Sequence, residues 1–104
     1  MIMKLVWHEL AYEELTSIGQ KVSELFGYIV ADKVVSNMIQ RIGTLSDYPY
    51  LGTIDPRYKP FRILHSRHNR IFYLVTVQEI RIIAIWDNRQ DEKKLPDLLT
   101  SRIS

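Results

Sequence analysis

Apolar positions follow a helical period in the first half of the chain and gather in short dense runs in the second. Ala11, Leu15, Ile18, Val22 and Leu25 are spaced 4, 3, 4, 3, which is one stripe of an amphipathic helix. Gly27 interrupts the pattern. Ala31, Val35, Met38, Ile42 and Leu45 then repeat it, while Glu14, Lys21, Asp32 and Lys33 fall off both stripes. Two helices with so short a link predict an antiparallel hairpin sharing one seam. Ahead of them, residues 2–7 (IMKLVW) read as a short strand.

The segment 46–56 (SDYPYLGTIDP) is rich in turn formers, with Pro49, Gly52 and Pro56. After it, residues 60–66, 70–77 and 80–86 are rich in β-branched and aromatic side chains. Their connectors, 67–69 and 78–79, are short enough to predict an antiparallel meander. Residues 92–103 (EKKLPDLLTSRI) predict a short C-terminal helix that starts or breaks near Pro96. The order is β-α-α-β-β-β, an α+β fold with the sheet packed against a helical hairpin. The 104 residues suit one domain spanning 1–104. The hairpin covers one sheet face. The other presents Phe61, Ile63, Phe72, Leu74, Ile83 and Ile85, an apolar set that calls for a cover. The C-terminal segment, a dimer mate or a dedicated partner would each serve.

Composition narrows the chemistry. With no cysteine there is no disulfide, thiolate nucleophile or thiolate metal site. His65 and His68 lack the company of Cys or nearby carboxylates, so no metal and no cofactor is expected. No apolar run is long enough for a signal peptide or a membrane span, and a cytoplasmic location fits.

Charge is unevenly placed. Residues 1–55 hold four Lys/Arg and seven Asp/Glu, whereas residues 56–104 hold ten and five. From Pro56 to Gln78 there is no acid, and that window contains Arg57, Lys59, Arg62, Arg67 and Arg70 with His65 and His68. This predicts a basic face for a phosphate-rich or acidic partner, with Arg57, Lys59, His65, Arg67 and His68 as candidate nucleic-acid contacts. The last strand runs IRIIAIW and then turns wholly polar as Asp87-Asn88-Arg89-Gln90-Asp91, the pattern of a strand reaching the rim of its sheet. Trp7 and Trp86 end apolar runs and read as core, as does Tyr73. His8 reads as a surface residue ahead of the first helix.

Several pieces in series carry a family resemblance. They are Trp7 ending the first strand, Leu45 followed by Tyr48-Pro49 and Gly52, the YKPFRIL strand with Arg62, the RIFY strand with Arg70 and Tyr73, and the closing IIAIWDNRQD. Over about residues 2–95 the chain resembles the RelE/ParE superfamily of type II toxin–antitoxin toxins. The resemblance implies a bacterial toxin neutralised by a cognate antitoxin that wraps it. It also implies one of two activities. RelE-like members cut mRNA on the ribosome, and ParE-like members share the fold, lack that nuclease site and act on DNA gyrase. The helical half and the WDNRQD ending look closer to the ParE side.

Metal-free RNA cleavage needs a base, an acid and cations for the charged transition state. On the nuclease reading, Arg62, Arg70 and Arg89 converge at one sheet end as the cations. Lys59, between Arg57 and Arg62, serves as base or phosphate clamp, and Asp87 acts as acid or base; on the other reading Asp87 caps the strand end or pairs with Arg89 or Arg62. RelE-like nucleases carry a Tyr or His at this strand end, and no Tyr or His follows Tyr73 here. The expectations are therefore ordered: a toxin cleaving mRNA on the ribosome without metal, then a non-nuclease inhibitor of gyrase, then an inactive binding module. The assembly expected is a homodimer or a toxin–antitoxin hetero-oligomer.

Overall fold

A computed structural model describes residues 2–103 of the chain. Strand β1 (Lys4–Trp7) leads into helices α1 (Glu9–Phe26) and α2 (Tyr28–Gly43). Helix α1 begins where His8 Nδ1 accepts the Leu10 N–H at 3.0 Å, capping a helix end that would otherwise leave donors unpaired. Gly27 alone separates the two helices, at φ +88°. L side chains rarely adopt that backbone conformation, so a hairpin this tight depends on glycine there.

Four further strands follow: β2 (Thr53–Ile54), β3 (Arg62–His65), β4 (Asn69–Val75) and β5 (Glu79–Asp87). They form one sheet in the order β1-β5-β4-β3-β2. The antiparallel meander is present as β3-β4-β5. β1 joins its edge in parallel with β5, so the sheet is mixed. The two-residue β2 lies in the segment read as turn and pairs Thr53 with Ile63 and Ile54 with Arg62. Tyr73 fixes that segment to the sheet: its hydroxyl accepts from Gly52 N at 2.8 Å and donates to Pro49 O at 2.9 Å.

The helical hairpin buries Ala11, Leu15, Met38 and Ile42, with Leu45 just beyond, against Leu64, Ile71, Tyr73, Ile80, Ile82 and Ile85. Leu25, the last residue of the first predicted stripe, is 69 % exposed because the hairpin tip overhangs the sheet. The opposite sheet face is covered by the chain itself. A turn at Glu92–Lys94 leads into helix α3 (Leu95–Ser101), whose Leu95 and Leu99 are fully buried among Tyr58, Phe61, Ile63, Phe72, Ile83 and Trp86.

One residue expected on that second face lies on the first. Phe72 pairs with Ala84 but Tyr73 pairs with Ile82, so Ile83 is an extra residue in β5. A bulge puts two residues opposite one and flips the alternation after it. Ile83 and Ala84 both join the α3 side, and Ile85 returns to the hairpin side. Past Ile82, where β1 stops, side chains take over the pairing of β5. Ile85 N donates to Glu14 Oε1 at 3.0 Å, and Arg102 donates to Ile83 O at 2.9 Å and to both Glu14 oxygens at 2.8 and 2.9 Å.

Candidate functional site

The basic half does not build one cluster. Arg62 pairs across the sheet with Tyr73, so it stands on the hairpin side of β3. Its guanidinium donates to Gly52 O at 2.8 Å and lies 4.8 Å from the centre of the Tyr50 ring. Arg70 pairs across β5 with Trp86 and stands on the other side, 5.7–5.8 Å from the Phe72 and Tyr58 rings. Arg89 lies beyond the end of β5 and grips Asp87. The expected convergence of Arg62, Arg70 and Arg89 therefore fails. Strand alternation sends the first two to opposite faces, and the third is held locally.

Asp87 and Arg89 form a two-point fork, with Arg89 Nε donating to Oδ1 at 3.1 Å and Nη2 to Oδ2 at 2.9 Å. The Arg89 backbone N–H adds a bond of 2.9 Å. This fork lowers the Asp87 pKa. A carboxylate so held is a poor proton donor. Asp55 and Arg57 repeat the device two residues apart, with Arg57 Nη2 on Asp55 Oδ2 at 2.7 Å. There the Arg57 hydrogen bonds pull Asp55 from 3.8 to about 2.

Arg70 is only 8 % exposed. Its Nε donates to Asn88 Oδ1 at 2.9 Å and its Nη2 to Glu92 Oε1. Tyr58 donates to the other Glu92 oxygen at 2.9 Å. An arginine inside a strand has to be exposed or paired, and that rule signals a partner in the sequence. It does not identify Glu92, which is 22 residues away. Lys59, His65, Arg67 and His68 are exposed. His65 and His68 offer backbone carbonyls to Arg41 Nε and Asn88 N, both at 3.0 Å. Among the described residues no group of three His, Cys, Asp or Glu is placed to hold a metal, and no helix is long and apolar enough to cross a membrane.

Asp87 and Arg89 also line a groove of about 450 Å³ between the helical hairpin and the β3–β4 turn. Its apolar wall includes Ile18, Val22, Phe26, Val30 and Val34, and its polar rim includes Lys21, Arg67 and His68. An apolar groove whose rim carries Lys21 and Arg67 suits a polypeptide segment better than a reacting phosphodiester.

The sequence model of the family described as "ParE toxin of type II toxin-antitoxin system, parDE" matches residues 5–92. The chain belongs to the ParE toxin family. A solved structure described as the chromosomal ParDE TA system from P. aeruginosa shares the fold at 25 % identity, with a TM-score of 0.72. That match covers 83 % of this chain and 96 % of the other. No curated protein matches. The ParE match ends at Glu92, so α3, which seals the second sheet face, lies beyond it.

Proposed function

We propose that this ParE-family chain is the toxin of a type II toxin–antitoxin pair and that it poisons DNA gyrase by binding, without cutting mRNA. The observation that carries this reading is the separation of Arg62, Arg70 and Arg89, each already engaged by groups of the chain itself. A nuclease built on them would have to gather three cations from two faces of a sheet and one loop. The locked Asp87 carboxylate and the lack of Tyr or His after Tyr73 argue the same way. Family membership supports gyrase over the ribosome, reversing the order in which the sequence suggested them. The partner that restrains the toxin is a cognate antitoxin, and both act in the cytoplasm.

The test uses purified protein and gyrase in a DNA supercoiling assay, with translating ribosomes and mRNA in parallel. Inhibition of supercoiling with intact mRNA is expected. Codon-spaced mRNA cuts with unaffected supercoiling would overturn the proposal and return Lys59, Arg62 and Arg70 to catalytic candidacy.

A further inference from the structure

Around the Glu92 carboxylate three donors from β4 and the turn before β3 come together. Arg70 Nη2 meets one oxygen, Tyr58 Oη meets the other at 2.9 Å, and Arg57 Nη1 stands 4.0 Å away. Arg70 is oriented from behind by Asn88 and its side chain is only 9 % exposed, while that of Glu92 is 41 % exposed. The Arg70 base of the seat is thus dry, and its occupant sits at the mouth. Across β5 from Arg70, and so on the same face, Trp86 Nε1 is buried with no acceptor. Buried donors rarely go unpaired.

We propose that Arg70, Tyr58 and Arg57 form a phosphate-binding seat, which the chain's own Glu92 fills until the turn leading into α3 moves aside. Glu92 offers two oxygens and one charge, shared between Arg70 and Tyr58, while Arg57, which grips Asp55, stands 4.0 Å off. A phosphate offers more oxygens and a higher charge, and it suits the planar fork of Arg70. The filled seat is stable because Glu92 is tethered to it, and a tethered group competes at a high effective concentration. Its pKa is lowered by Tyr58 and by the two arginines, so it stays ionised and in place near neutrality. The latch stands where the family match ends, which couples the seat to the C-terminal segment of this chain. The proposal is independent of which target the toxin poisons.

The test is a nitrogen-15 NMR titration of the whole chain, wild type and Glu92→Ala, with inorganic phosphate, a short single-stranded oligonucleotide and chloride at matched ionic strength. In Glu92→Ala the Trp86 indole and Arg70 Nε signals are expected to move saturably with phosphate. Binding should be at least ~10-fold tighter than in wild type, where tethered Glu92 competes. Adding Tyr58→Phe should weaken it again. A response to the oligonucleotide alone supports the seat with a backbone phosphodiester as its ligand, and a response to phosphate alone supports a free or terminal phosphate. No saturable shift with either, or the same shift with chloride or in wild type, overturns it. Should Glu92→Ala not give a folded spectrum, Glu92→Gln is read by the same criteria, since its amide keeps an acceptor for Tyr58 but no charge for Arg70.

Discussion

Gly52 sits where backbone and side chain come closest. A Cβ there would lie 2.6 Å from Tyr73 Oη and 2.8 Å from Ile63 O, closer than real contacts allow. Gly52→Ala is expected to lower stability by about 1–3 kcal/mol, the usual range for forcing atoms into a packed site, measured by urea unfolding. Acid sensitivity is also set by single residues. The hydrogen bonds from Arg57 hold the folded-state pKa of Asp55 at about 2 against 3.8. A depressed carboxylate pKa stabilises the fold above the unfolded value, and that stability drains away as pH falls from about 4 toward 2. Asp55→Asn is expected to flatten this part of the stability–pH curve by removing the stabilisation present above pH 4, leaving the strongly acid end little changed. A curve as steep as wild type below pH 4 would show that the fork contributes nothing. At this scale the sequence was legible in types and blind to partners. Arg70 had to be satisfied somehow, but nothing in the spacing pointed from β4 to Glu92. The Asp-x-Arg forks at 55–57 and 87–89 are local enough to be read: pairing of Asp87 with Arg89 is one of the two readings its position allows, whereas Arg57 stands out first as a nucleic-acid contact.

The helical stripes, the meander and the C-terminal helix followed from periodicity, because each element buries one continuous apolar face. The bulge did not. A strict two-residue alternation puts Ile83 and Ile85 together, and only the pairing with β4 reveals the extra residue. The edge of β5 left free where β1 stops is closed by Glu14 and Arg102, a pair with 26 % and 7 % of their side chains exposed. Glu14→Ala strands the Arg102 charge and the Ile85 N–H, for an expected loss of about 3 kcal/mol. The double variant Glu14→Ala/Arg102→Ala should lose clearly less than the sum of the two singles, the mark of direct coupling. Simple additivity in denaturant unfolding would show that the two side chains act separately. α3 belongs to the same closure. Without Leu95 and Leu99 the second sheet face would expose Phe72, Ile83 and Trp86, so a chain ending at residue 93 is expected to self-associate in sedimentation experiments while the full chain does so less.

At the scale of the whole molecule, fold and family were legible because they rest on element order, and the target was not, because it rests on where side chains meet. Residues 56–78 carry no acid, which suggested one cationic surface. In the folded chain much of that charge is neutralised by carboxylates from outside the window or spent on backbone carbonyls, as Asp55, Glu92 and Gly52 show. What stays open to a partner is the groove between the hairpin and the β3–β4 turn, with its apolar wall and cationic rim. The central claim is therefore that this toxin works by binding a protein, with gyrase as the target. Its most direct test is a pulse label within minutes of induced expression in a bacterium lacking the antitoxin, comparing thymidine and methionine incorporation. The account predicts that DNA synthesis falls first while protein synthesis continues. A prompt collapse of protein synthesis with DNA synthesis intact would contradict it.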